Sequence, residues 1–178
     1  MIAGIREQPI EDVTLENIRM YVPVCDEVRG KSKPRGVRNL AATPPGTDFA
    51  SVPSHWTFAH VNGLTINNLQ IEVERESAEQ QRHAIWAAHV QEMNISEFAG
   101  RATGLNRAPA TIHLEQARHV FLNACRAEAG TQVFLNLTGK DTENVAVMNG
   151  DFAAAKNAFV IDREVRKGTF YQTANRLR

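Results

Sequence analysis

Apolar and polar residues alternate along much of this chain, and the alternation returns at intervals. PIEDVTLENI (9–18), VNGLTINNL (61–69), VQEMNISEF (90–98), ARHVFLNAC (117–125) and TENVAVMNG (142–150) share one frame. Each reads apolar, polar, apolar, two polar or small residues, then usually apolar again. Aligned on Val13, Leu64, Met93, Val120 and Val145, the segments place Leu15, Ile66, Ile95, Leu122 and Val147 two residues later. Ile18, Leu69, Phe98, Cys125 and Gly150 follow three residues after those. Gly150 breaks the last column, and Phe152 is the side chain placed to replace it. A period of two predicts strands, not helices. The anchors stand 51, 29, 27 and 25 residues apart. The last three spacings suit one coil of a β-solenoid each, and the first is nearly two coils or one coil with a long excursion.

A second apolar stretch precedes most anchors, in HWTFAH (55–60), HAIWAAH (83–89), ATIHLEQ (110–116) and TQVFLNL (131–137), and a last one is NAFVID (157–162). Third strands are expected at NIRMYV (17–22) and NLQIEVE (68–74). The predicted fold is therefore all-β, a right-handed single-stranded parallel β-helix of about six coils. At about 4.8 Å per coil the rod would be on the order of 30 Å long. Four residues after each anchor come Asn17, Asn68, Glu97, Ala124 and Asn149, and asparagine is the non-glycine residue that best tolerates left-handed φ. Four residues before the anchors, His60, His89, Gln116 and Asp141 are expected to form a second turn column. One domain is expected over 1–178, with a Pro-, Gly- and Lys/Arg-rich loop insertion at about 25–54 and a capping tail at about 163–178.

The composition narrows the function classes. With 20 Lys+Arg against 20 Asp+Glu the chain is neutral, which argues against nucleic acid or a charged membrane surface as the partner. The tail 163–178 is locally basic, and a capping element with solvated charges is its plainer reading. The apolar runs are too short to span a bilayer, and the N-terminal residues show no signal-peptide h-region. Two cysteines, Cys25 and Cys125, are too few for a disulfide scaffold, and Cys125 falls in a core column where an inert thiol is expected. No cofactor motif of the phosphate-cradling or dinucleotide kind is present, and no cofactor is expected.

At IAGIREQPIEDVTLENIRM a familiar pattern appears. A short glycine-containing lead followed by Pro-Ile-Glu-Asp-Val-Thr-Leu-Glu-Asn-Ile resembles the C-terminal coils of the polygalacturonase-like proteins of glycoside hydrolase family 28, in the pectin-lyase-like β-helix superfamily. WTFAHVNGLTINNLQIEVE, HAIWAAHVQEMNISEF and TIHLEQARHVFLNACRA look like the coils that follow, so the likeness covers roughly residues 2–155. The resemblance implies a secreted or periplasmic, inverting glycosidase acting on pectic polysaccharide. That chemistry needs an acid and a base carboxylate about 6.5–9.5 Å apart. The family's N-x-D, D-D, G-H-G and R-I-K motifs are all missing from this chain, so no catalytic residue carries over. Three readings stand, in this order: a catalytically silent C-terminal segment of such a hydrolase; a non-catalytic β-helix that binds carbohydrate or serves as a structural or assembly module; and an enzyme with relocated carboxylates, such as a Glu72/Glu74 pair.

Candidate substrate-binding residues are Trp56, Trp86, Tyr21, Glu72 and Glu74. Glu72 and Glu74 share one side of a strand, which sets them about 7 Å apart, although any alternating strand with two outward glutamates does the same. Tryptophan or tyrosine faces could stack on sugar rings, but Trp56 and Trp86 differ by one residue in register, so one of them is expected to face the core. His55, His60, His83 and His89 lack the tight spacing and acidic partner of a metal site, and His60 and His89 read as a turn ladder. Asn94-Ile-Ser96 and Asn136-Leu-Thr138 fit the glycosylation pattern but fall in predicted strands. The expected partners are a pectin-like polysaccharide and, through the open N-terminal coil formed by Ile2, Ile5 and Ile10, another copy or further coils.

Overall fold

The computed structural model describes residues 1–22, 54–74, 81–104 and 109–178. The expected loop at 25–54, Cys25 included, lies outside them except for Ser54, which opens a strand. Among the described residues there is no helix, and twelve strands form one continuous parallel sheet wound into a solenoid. Layer one holds β1 (Ile2–Ala3) and β2 (Ile10–Val22), and layer two is the single long β3 (Ser54–Val73). β4 (His83–Ser96) and β5 (Ala99–Gly100) make layer three. Layer four is β6 (Ile112–Glu115), β7 (Arg118–Asn123) and β8 (Arg126–Ala127). β9 (Val133–Thr138) with β10 (Glu143–Met148) and β11 (Asn157–Ile161) with β12 (Phe170–Thr173) complete layers five and six. The predicted all-β solenoid is the observed fold. The coil number is lower than expected, because layers one and six are partial and about four complete turns lie between them.

At the anchors the register reproduces the sequence alignment. Val13 pairs with Leu64, Leu64 with Met93, Met93 with Val120 and Val120 with Val145. Phe170 extends this column, so the basic tail contributes a strand to layer six. A second wall stacks Trp56, Ile85, Ile112, Leu135 and, through β11, Phe159. A short third wall joins Ile71, Gly100 and Ala127. Inward side chains of the middle layers are fully enclosed, Leu64, Ile66, Met93, Ile95, Leu122 and Val147 all at 0% exposure. Each such burial is worth about 1.5–3 kcal/mol.

The place of Gly150 is taken as expected. A Cβ added there would collide with the Phe152 ring. Phe152 is fully buried and lies 4.5 Å from Phe134 and 5.2 Å from Phe159 between ring centroids. An aromatic stack thus runs up the axis where the aliphatic column stops.

The corners depend on left-handed backbone. Asn17, Asn68, Glu97, Ala124 and Asn149 all have φ between 52° and 56°, and Ala174 adds a sixth member at 53°. The Asn68 amide donates to Asn17 Oδ1 at 2.9 Å, and the Asn149 amide to Asn123 Oδ1 at 2.9 Å. His60, His89 and Gln116 form the second column, with φ of 51° to 52°. Its next member is Gly139, not Asp141. β6 pairs with β9 at a step of 23 residues (Ile112 to Leu135), whereas β7 pairs with β10 at 25 (Val120 to Val145). The two additional residues push Asp141 past the corner and leave Gly139, at φ 88°, over Gln116. A third left-handed column stands immediately before the anchors, at Asp12, Gly63, Glu92, His119 and Asn144. Sequence reading missed it, although four of its members carry polar side chains and the fifth is glycine.

Candidate functional site

The corner between the first two walls opens into a groove of about 660 Å³. It crosses five layers. Arg6 comes from the turn before β2, His60 from β3, and His89 and Gln91 from β4. Gln116 precedes β7, Arg118 opens it, and Lys140 and Asp141 come from the turn before β10. At about 4.8 Å per layer the groove is on the order of 20 Å long, parallel to the solenoid axis.

Left-handed φ at His60 and His89 turns both imidazoles outward in register. Their rings are parallel to within 1° with centroids 4.8 Å apart. Desolvation, then the neighbouring His89 and Arg6, lower the His60 pKa against an opposing pull from Glu7. That shift favours the neutral imidazole, which offers a flat face with one donor and one acceptor. The positive charge comes from Arg6, Arg118 and Lys140. Arg118 lies 3.9 Å from Asp141 Oδ1 and 3.8 Å from Glu143 Oε1, which hold its exposed guanidinium without enclosing it. Gln116 accepts the Asp141 backbone N–H at 3.0 Å, fixing the turn that carries both Lys140 and Asp141. Asp141 is the one carboxylate among the described lining residues.

The sequence candidates fall on other surfaces. Trp56 points into the core column, with its ring 6.2 Å from Phe58 and its indole Nε1 buried with no partner among the described residues. Trp86 lies between the enclosed Ile85 and Ala87 and so projects from the opposite side of the same wall. There it stands in register with Thr57 and His113. Tyr21, Glu72 and Glu74 are brought together on the third wall. Tyr21 pairs in register with Glu72 and its side chain hydrogen-bonds to Glu74, while Glu72 is ion-paired with Arg19. Both glutamates thus have partners, and the wall holding them is not the wall holding the tryptophans.

His55, His83 and His113 are tied into the second wall. His83 Nδ1–H donates to the Ala110 carbonyl at 2.7 Å, and its ring lies 4.9 Å from that of His113. The Asn136 amide donates to His113 Nδ1 at 3.0 Å, leaving Nε2–H to donate to Thr138 Oγ1 at 3.3 Å. His55 Nε2 lies 3.4 Å from Thr103 Oγ1. Burial, with Arg82 acting on His55 and His83 acting on His113, pushes each of these two imidazoles down to about 4. Among the described residues no three metal-ligating side chains converge. Cys125 is enclosed, and burial pushes its thiol up to about 12, so it is not a nucleophile at neutral pH. Asn94 and Asn136 both lie inside strands.

The chain matches no protein-family model, no curated protein and no solved structure. The stacked coils are consistent with the pectin-lyase-like superfold, a fold compatible with a carbohydrate-active or a structural module. Of the groove residues, His60, His89, Gln116 and Asp141 were visible in the sequence as a turn column. Arg6, Gln91, Arg118 and Lys140 were not, because each joins the site only through stacking. Their one sequence signal is a polar residue repeatedly placed beside that column.

Proposed function

We propose that this β-solenoid is a polygalacturonase-like segment that holds an acidic, pectin-like polysaccharide along the corner groove without cleaving it. The observation that carries the reading is the line of Arg6, Arg118 and Lys140 beside the parallel His60–His89 pair. Guanidinium groups bind planar carboxylates bidentately, and an imidazole face covers the apolar C–H side of a sugar ring. Gln91 and Asp141 supply hydrogen-bonding groups for hydroxyls. An elongated groove crossing successive coils suits a repeating polymer better than a compact ligand. Hydrolysis by inversion requires two carboxylates across the scissile bond, and the described groove lining supplies one, already beside Arg118.

The test is titration with oligogalacturonate and with a neutral glucan of equal length, read by calorimetry, alongside an assay for new reducing ends. The expected result is binding of the acidic oligomer alone, with no reducing ends formed. Replacing Arg118 and Lys140 together with Ala removes charge-assisted hydrogen bonds worth about 1.5–3 kcal/mol each, so affinity should fall at least about tenfold. Equal affinity for both polymers, or none for the acidic one, would sink the reading. Release of reducing ends that depends on Asp141 would replace it with a catalytic one.

A further inference from the structure

The two ends of the rod are unlike the middle and unlike each other. In layer one, β1 and β2 pair with β3 on one side, and their outer edges carry no strand among the described residues. In layer six, β11 pairs with β9 and β12 with β10, again on one side. Ile10, Val13, Leu15, Ile18, Met20 and Val22 are half-buried, while their partners one layer inward are almost all fully enclosed. Eight large apolar side chains are exposed among the described residues. Met1, Ile5 and Tyr21 belong to layer one, Val160, Ile161, Tyr171 and Leu177 to the final layer, and Phe121 alone to the middle.

Charge separates the ends. Residues 1–22 carry Glu7, Glu11, Asp12 and Glu16 against Arg6 and Arg19. Residues 157–178 carry Arg163, Arg166, Lys167, Arg176 and Arg178 against Asp162 and Glu164. An acidic, apolar-edged first layer and a basic, apolar-edged last layer sit on opposite faces of one chain. The neutrality of the whole hides this polarity.

We propose that the first layer of one copy docks onto the last layer of a second copy, head to tail, as a continuation of the parallel sheet. The occupant is another copy of this chain because its basic end complements the acidic end in charge and repeats its strand geometry. Continuing the register in which Val145 meets Phe170 sets Phe170 against Val13 of the next copy and Gly168 against its Glu11. Lys167 and Arg166, in the turn before Gly168, then approach Glu11 and Asp12. The contact is heterologous, so nothing closes it after two copies and short fibres follow. It places no demand on the groove and holds whether or not a polysaccharide binds there.

Sedimentation velocity on the pure chain tests it, over a range of concentrations at low and at high salt. The expected result is concentration-dependent association beyond the dimer that weakens as salt rises. Glu11→Lys with Glu16→Lys makes both ends basic, and Arg166→Glu with Lys167→Glu makes both ends acidic. Each variant alone should be monomeric, and mixing the two should restore association, because each supplies the end the other lacks. Far-UV circular dichroism and the urea midpoint identify variants that are folded. A wild-type chain that stays monomeric throughout leaves these edges to a different partner and overturns the proposal. A dimer that grows no further, or folded variants that do not complement each other, overturns it as well.

Discussion

Leu15 and Ile66 stand one above the other in the same column, paired in register on parallel strands. Ile66 is wholly enclosed, and Leu15 is half-buried. The same holds for Val13 against Leu64 and Ile18 against Leu69. Inward orientation is a property of the strand, whereas burial is a property of the stack, since an inward side chain needs a layer on both sides to leave water. In a solenoid each coil touches only its neighbours, so core energy is distributed layer by layer and falls at the ends.

The sharpest way to break that comparison is to truncate matched positions. Ile66→Ala removes the enclosed side chain paired with Leu15 and should cost about 2–5 kcal/mol. Leu15→Ala should cost about half of the 2–5 kcal/mol typical of an enclosed leucine, since part of its surface is already wet. Urea unfolding monitored by tryptophan fluorescence measures both. Equal losses at the two sites would show that layer one is covered in solution.

Acid should act on the second wall, which carries His55 and His113, and not on the apolar core columns. His55 and His113 have folded-state pKa values lowered from 6.5 to about 4. A base whose pKa is lower when folded binds its proton preferentially in the unfolded chain. The stability linked to these imidazoles is therefore complete above pH 6.5 and is lost as pH falls from there toward 4. Protonation would also aim a second N–H of His113 at the Asn136 amide, which donates to that nitrogen. The urea midpoint should drop over this window, and His113→Gln should flatten the drop. An unchanged pH profile in that variant would remove His113 from the account.

The smallest effect is a gain. Ala124 is exposed at φ 52° in a column otherwise led by asparagine. Left-handed φ costs an alanine about 1 kcal/mol and costs glycine almost nothing. Ala124→Gly should therefore stabilise the fold by up to about 1 kcal/mol despite the added freedom of the unfolded chain. A matching loss from Asn68→Ala, which also removes the bond to Asn17, would show that the corner column is held by backbone geometry along its length.

The strand frame was legible because a period of two in the chain is a period of two in space, whatever the strand packs against. For that reason the anchors, the replacement of Gly150 by Phe152 and the left-handed corner at Asn17, Asn68 and Asn149 all stand where the alternation put them. Asp141 was misplaced because two walls of one coil advance by different numbers of residues, and alignment to a single anchor averages over that difference. The glutamate pair looked chemically suggestive because Arg19, its neutralising neighbour, sits 53 residues before Glu72.

Local sequence thus determined which side chains face in, where the chain must turn left-handed, and that the fold is a parallel stack. Only the tertiary structure decided what the molecule presents to others. The groove draws on five layers, and the acidic and basic ends are set apart by the length of the rod. Stacking brings residues from successive turns to within about 5 Å across 23 or more positions of chain, a proximity that no local pattern encodes.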